Sequence, residues 1–198
     1  MRDTVGDAQL MRLTAEGDAA AFRQLVARHL PRAHAVAYRV LLNREDAEDA
    51  VQAAFTKVWA NAGRYEPERS AFSTWLYTIV TRACLDRARR FKPKTQSIDD
   101  WAEALSDGDP DAETQLSQRQ AAGAVRAAVA QLPLNQRMAV ALCYFEGFSN
   151  AEAAQSLNMS VKALESLLVR ARRQLKTVLY QESLKMTLGM PFENVSCR

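Results

Sequence analysis

The stretch from Phe72 to Lys94, FSTWLYTIVTRACLDRARRFKPK, decides the fold. Wound at 3.6 residues per turn, Phe72, Leu76, Tyr77, Ile79, Val80, Ala83, Cys84, Ala88 and Phe91 fill one broad apolar arc. Thr78, Arg82, Asp86 and Arg89 take the opposite face, and Trp75 falls among them, outside the core stripe. Arg87, Arg90, Lys92 and Lys94 add cations near the C-terminus, and Pro93 ends the helix. Two readings fit these residues. Cations at that end complement the dipole of any amphipathic helix. An indole among guanidiniums and hydroxyls also suits unstacked bases and the phosphates joining them.

Upstream, a short helix around Asp7–Glu16 stops at Gly17, and Asp18 caps a second helix. Phe22, Leu25, Val26, Leu30, Ala33, Val36, Ala37, Val40 and Leu41 form its core face, and Pro31 inside it predicts a kink or a restart. A third helix spans Arg44–Ala62, with Ala47, Ala50, Val51, Ala54, Phe55, Val58, Trp59 and Ala62 recurring at three and four. Glu45, Asp49, Gln52 and Thr56 make its outer face, flanked by Asp46 and Glu48. Acids in a first turn complement the dipole, which accounts for Glu45 to Glu48 but less well for Asp49 and Gln52. The loop Gly63–Arg69, GRYEPER, leads to Ser70 as the cap of the helix that opens at Phe72.

Downstream, periodicity stops between Thr95 and Asp111, where acids, Ser, Gly108 and Pro110 read as a flexible tether extended by self-repulsion. The charge supports a division there. Residues 1–95 carry 16 Lys/Arg against 11 Asp/Glu, and residues 119–180 carry eight against three. Between them, residues 96–118 hold no cation and the acids Asp99, Asp100, Glu103, Asp107, Asp109, Asp111 and Glu113. Two basic blocks around an acidic one describe two domains facing a polyanion, joined by a strand that must not stick to it. Such a tether predicts weak contact between the domains.

The second block opens with an Ala-rich helix, Ala121–Gln131, broken at Pro133, and a stripe of Leu134, Met138, Ala141, Leu142 and Phe145 that stops at Gly147. Ser149 and Glu152 then form a capping box for a short helix to Leu157. Asn158-Met159-Ser160 is a three-residue turn, and Ser160 caps the helix after it. Two helices so joined make a helix-turn-helix, whose second helix enters a major groove. On that helix Val161, Leu164, Leu168, Ala171, Leu175 and Leu179 face inward, while Lys162, Ser166, Arg170, Arg173 and Thr177 face out. A plain helical hairpin with a solvated basic face is the competing reading.

The expected fold is therefore all-α: an N-terminal helical bundle (1–95), an acidic linker (96–112), a C-terminal helix-turn-helix domain (113–180) and a tail (181–198). The tail extends the last helix to about Leu188, before Gly189 and Pro191. Cys84 and Cys143 sit in apolar helical patterns and read as buried free thiols of a reducing compartment; Cys197 reads as an incidental tail thiol. His29 and His34, five apart, lie on different sides of their helix, and no Cys–His spacing suits zinc. No metal or cofactor is expected. The longest uncharged run, Ala71–Thr81, is far short of the roughly 20 residues of a membrane span, and MRDTVGDAQL has no apolar signal core, which points to a cytoplasmic protein without membrane insertion. No nucleophile–base cluster and no Gly-rich phosphate loop after a strand appear, so no catalytic residue is assigned.

Two blocks of the sequence carry a family resemblance. DAEDAVQAAFTKVW (Asp46–Trp59) followed by AFSTWLYTIVTRACLDRARR (Ala71–Arg90) is similar to the second region of bacterial sigma factors of the sigma-70 superfamily. LPLNQRMAVALCYFEGFSNAEAAQSLNMSVKALESLLVRARRQL (Leu132–Leu175) resembles their fourth region, and the absence of a sizeable domain between them resembles the extracytoplasmic-function group.

The resemblance implies a promoter-specificity subunit that binds core RNA polymerase and directs initiation at −10 and −35 elements. Asp46, Glu48, Asp49 and Gln52 match the motif that holds the clamp of the largest polymerase subunit. The loop Tyr65–Ser70 and Phe72 match the part that pockets a base flipped from the −10 non-template strand. Trp75, Arg82, Arg89 and Arg90 join that site from the helical wheel. Ser160, Lys162, Glu165, Ser166, Arg170 and Arg173 would read the −35 duplex, Lys162, Glu165 and Ser166 at base edges and Arg170 and Arg173 at phosphates. The acidic tether would thread toward the RNA exit path, and an anti-sigma factor would cover the polymerase-binding faces. The chain departs from the family pattern at Arg82, where Asn is common, at Ala53, where Glu is common, and at Glu165 and Leu167, where Lys and Arg are common. A Glu at 165 accepts from a cytosine amino group and repels phosphate, so the −35 preference should differ from that of members with Lys there. A free-standing helix-turn-helix regulator on duplex operators is the alternative. It leaves Trp75 and the acid/Gln face of the third helix without a task.

Overall fold

The computed structural model describes residues 5–90 and 122–188, the side chains of 182–188 excepted; the acidic linker, the tail beyond Leu188 and Cys197 lie outside them. All regular structure among the described residues is helical.

Helix α1 (Asp7–Ala15) ends in a turn through Gly17, whose φ of +94° is the left-handed conformation glycine adopts without penalty. The Asp18 carboxylate accepts from the backbone N–H groups of Ala20 and Ala21 and starts α2 (Ala19–Leu41). Pro31 does not restart this helix, which runs unbroken through it with Ala33, Val36, Ala37 and Val40 buried beyond. Leu42, at φ +59°, closes α2, and the Asn43 side chain caps α3 (Arg44–Ala60) by accepting from the Asp46 N–H at 2.9 Å. A two-residue connection forces α2 and α3 into contact. After a 3₁₀ turn (Ala62–Arg64) and a loop, α4 (Phe72–Arg90) packs on both. Its start makes Ala71, not Ser70, the flanking residue, and the Trp75 N–H bonds to the Ala71 carbonyl at 3.2 Å.

The second unit holds α5 (122–130), α6 (Leu134–Val140), α7 (Asn150–Ser156) and α8 (Val161–Leu188). A π turn, Ala141–Phe145, follows α6. It shifts the helical register, so Phe145 leaves the predicted core stripe and is 40% exposed. Gly147 stops the segment at φ +72°.

The expected weak contact between units is not what the structure shows. One apolar core runs through both, α4 packs on α7, and α2 packs on α6 and the π turn. Thr74 and Thr81, outside the predicted stripe, are buried because that side of α4 faces α7, where small Ala153 and Ala154 permit close approach. The Ser156 hydroxyl donates to the Thr74 carbonyl at 3.2 Å. The Thr81 hydroxyl lies 2.7 Å from the Tyr77 carbonyl oxygen and 3.1 Å from that of Ser156, so its single proton is shared.

Candidate nucleic-acid interface

Three surfaces carry the residues singled out in the sequence. The first lies at the N-terminal end of α4. The loop after the 3₁₀ turn folds back so that the Tyr65 ring stands 5.9 Å from Phe72, edge-on, and 5.4 Å from Trp75. The Tyr65 hydroxyl donates to the Ser70 carbonyl at 3.2 Å and closes the loop. Burial, then the nearby carboxylates of Asp7 and Glu68, raise the Tyr65 pKa, so it stays a neutral donor. Trp75 is half-buried in this cluster rather than standing free among the cations, because the loop covers one side of its ring. Phe72 is 3% exposed, so it supports the cluster from beneath. Arg82, Arg89 and Arg90 are exposed along α4.

Support for this cluster comes from residues the sequence does not reveal. The His29 ring meets Phe72 edge-on at 4.9 Å, and its Nε2 lies 2.7 Å from Asp7 Oδ2. Asp7 also accepts from Arg28 at 3.0 Å, and Arg28 donates to the Val5 carbonyl at 2.6 Å. The start of the chain is thereby tied to the floor of the aromatic cluster. These contacts span more than twenty residues, and no local pattern encodes them.

The second surface is the helix-turn-helix. Ser149 accepts from the Glu152 N–H at 3.3 Å while Glu152 accepts from the Ser149 N–H at 2.9 Å and from its hydroxyl, completing the capping box. Those two bonds hold the Glu152 carboxyl below its ordinary range. Asn158 takes φ +53° in the turn, and the Ser160 hydroxyl caps α8 by accepting from the Ala163 N–H at 3.2 Å. Leu164, Leu168 and Ala171 are buried as expected, with Val178 continuing the stripe, whereas Val161 is 42% exposed. Ser160, Lys162, Glu165, Ser166, Arg170 and Arg173 are all exposed on one unit. Glu165 sits 3.5 Å from the Asn150 amide.

The third surface is on α3. Asp46 and Asp49 both take Arg87 of α4, at 2.6 and 2.9 Å, while Glu48 pairs with Arg44 at 3.0 Å. Glu48 and Gln52 instead edge a groove of about 770 Å³ between α2 and α3, lined also by Phe22, Leu30, Phe55 and Trp59. Helical spacing puts Leu30 and Trp59 in the core, yet they are 41% and 40% exposed at this groove. Trp59 rests edge-on against Phe22 at 5.0 Å. The periodicity that marks a core face does not distinguish it from the wall of an open groove.

Exposed arginines on the helix that carries the aromatic cluster, together with a capped helix-turn-helix with a basic outer face, are features of the helical DNA-binding class of transcription proteins. Residues 25–93 match sigma-70 region 2 and residues 122–175 match sigma-70 region 4. The ECF RNA polymerase sigma factor SigM of Mycobacterium tuberculosis is 36% identical over 173 residues, 87% of this chain and 84% of its own. The RNA polymerase sigma factor CnrH of Cupriavidus metallidurans is 31% identical over 178 residues, 86% of this chain and 93% of its own. The solved structure of CnrH with the cytosolic domain of CnrY superposes with a TM-score of 0.64 at 27% identity, covering 88% of this chain and 97% of that one. RpoE from Bartonella quintana, solved with the anti-sigma factor NepR, gives 0.58 at 25% identity, covering 80% and 96%. The chain belongs to the sigma-70 family, in its extracytoplasmic-function (ECF) group. It is a promoter-specificity subunit of RNA polymerase, and the free-standing regulator is not favoured, because region 2 is matched as well as the region that holds the helix-turn-helix.

Among the described residues no helix is long and apolar enough to cross a membrane, and no group of His, Cys, Asp and Glu is placed to hold a metal ion.

Proposed function

We propose that the unit within residues 1–95 holds core polymerase and opened −10 DNA, while the unit within 113–180 reads the −35 element as duplex. The residues 96–112 would tie them, and residues 181–198 form the tail. Glu48 and Gln52, beside the apolar α2/α3 groove, are the contacts for the polymerase clamp, with Asp46 and Asp49 set by Arg87. Tyr65, Ser70 and Trp75, floored by Phe72, receive a flipped base; stacking there offsets the few kcal/mol that unstacking costs. Arg82, Arg89 and Arg90 neutralise the phosphates of that strand. Lys162, Glu165 and Ser166 address base edges from α8, and Ser160, Arg170 and Arg173 address the backbone.

The observation that carries this reading is the exposure of two separate basic faces, one beside aromatic rings and one on a capped helix-turn-helix. Aromatic rings serve unstacked bases, and a lone recognition helix serves a major groove. The chain performs no reaction of its own in this scheme and works in the cytoplasm with polymerase. An anti-sigma protein is a further partner, by analogy with the complexes in which CnrH and RpoE were solved. Selecting promoters from random DNA with reconstituted holoenzyme tests the proposal: paired −10-like and −35-like motifs should emerge. Failure of the protein to bind core polymerase would end it.

A further inference from the structure

The rings of Tyr65, Trp75 and His29 all meet Phe72, the buried floor of the candidate base pocket. Tyr65 stands edge-on at 5.9 Å and Trp75 lies tilted at 6.2 Å, and both belong to the pocket. His29 does not: it reaches Phe72 from α2, edge-on at 4.9 Å. The His29 ring is itself held. Its Nε2 lies 2.7 Å from Asp7 Oδ2, and the other Asp7 oxygen accepts from Arg28 at 3.0 Å. Arg28 donates also to the Val5 carbonyl at 2.6 Å, which fixes the arm that holds Asp7. Asp7 and His29 are both partly buried, and a bond to an ionised carboxylate is stronger than one between neutral groups. The helix that carries Asp7, α1, also packs on the 3₁₀ turn from which the loop Tyr65–Ser70 departs. Burial raises the Tyr65 pKa first and the Asp7 charge adds to it, which sets this carboxylate within electrostatic reach of the pocket. Asp7 lies outside residues 25–93, so the region 2 match gives it no task.

We propose that Asp7 is a positioning residue for −10 DNA: through the His29 ring it fixes Phe72, and with it the setting of Tyr65 and Trp75 that a flipped base meets. Such a site works only when its rings are preset to within about 0.5 Å by their supporting contacts. The inference rests on the reading of this cluster as the base pocket. A plainer role competes, because an acid in the first turn of α1 also complements the helix dipole. Asparagine separates the two. Asp7→Asn removes the charge, but its amide still accepts from Arg28 and offers an N–H to the His29 ring.

Two measurements on the full chain test this. With Trp59 and Trp101 replaced by phenylalanine, Trp75 is the sole indole, and acrylamide quenching of the free protein reads how firmly it is shielded. Asp7→Ala should raise that quenching, and Asp7→Asn should leave it near the starting value. In reconstituted holoenzyme with all three tryptophans present, permanganate reads the −10 thymines. Asp7→Ala should lower their reactivity roughly ten-fold, the low end of the loss when a hydrogen-bond partner that orients a functional group is removed. Polymerase affinity and −35 protection should stay as they were, and Asp7→Asn should keep most of the reactivity. Asp7→Ala unchanged in quenching or in −10 reactivity, an equal loss in Asp7→Asn, or a matching loss of polymerase affinity would overturn the proposal. Should Trp75→Ala itself leave the thymines reactive, the pocket reading fails, a result distinct from a silent Asp7→Ala beside a defective Trp75→Ala.

Discussion

Arg87 on α4 donates its Nε to Asp46 on α3 at 2.6 Å, and both side chains are about a quarter exposed. Its other arm reaches Asp49 at 2.9 Å. Two acids of the motif proposed to meet polymerase thus also tie α3 to α4. Arg87→Ala should lower stability by about 1–2 kcal/mol, since it strands a partly buried carboxylate, with solvent screening keeping the figure modest. Denaturant melts read this directly, and Asp46→Ala should lose both stability and polymerase affinity.

Trp59→Ala should separate the two effects in the opposite sense. Trp59 is 40% exposed at the groove beside Gln52, so its loss should weaken binding to core polymerase by about 2 kcal/mol, or roughly thirty-fold, as for a central interface aromatic. Folding stability should change less. A pull-down titration beside a thermal melt checks both.

Lys162→Ala and Arg170→Ala should differ in kind. The first would remove the proposed base-edge contact and should relax −35 preference by about 1–3 kcal/mol at one position. The second would remove the proposed phosphate contact, and should weaken all sequences alike and flatten the salt slope by about one unit. Holoenzyme binding to promoter variants at several salt concentrations distinguishes them.

Ser149→Ala should cost about 1 kcal/mol through loss of the α7 cap. The pH dependence follows from Glu152, whose folded pKa is depressed by its bonds to Ser149. A depressed carboxyl contributes stability above its unfolded pKa and loses it as the pH falls through the folded one. Acid melts of the wild type should therefore steepen below the ordinary carboxylate range, and the variant should lack that component.

Burial pushes the Cys84 thiol up to about 12, so the thiolate that reagents attack is absent at neutral pH. Cys84 should resist alkylation in the folded protein and react only on unfolding. Mass spectrometry after pulsed labelling across a denaturant series measures this.

Features set by neighbouring residues are legible in the amino-acid order alone. Asp18, Ser149 and Ser160 cap helices because their side chains bond N–H groups two or three residues on, a purely local rule. The outer face of α8 follows from 3.6-residue spacing. Trp59 and Leu30 depart from the core that spacing assigns them, because spacing reports an apolar face and not what covers it. Thr74 and Thr81 escape the pattern for the converse reason: their partner, Ser156, is 75 residues or more away. The same holds for Asp7 and His29 beneath Phe72. The side of α4 that carries Trp75 is readable from the helical wheel, but its cover by Tyr65 depends on how the preceding loop folds back.

Permanganate footprinting of promoter DNA bound to the reconstituted holoenzyme tests the division of labour between the units most directly. Thymines of the −10 element should become reactive while the −35 element stays paired, and Trp75→Ala should keep −35 binding but lose the −10 reactivity. Active complexes in which the −10 pairs stay closed, or in which Trp75→Ala opens them as well as the wild type does, would contradict it.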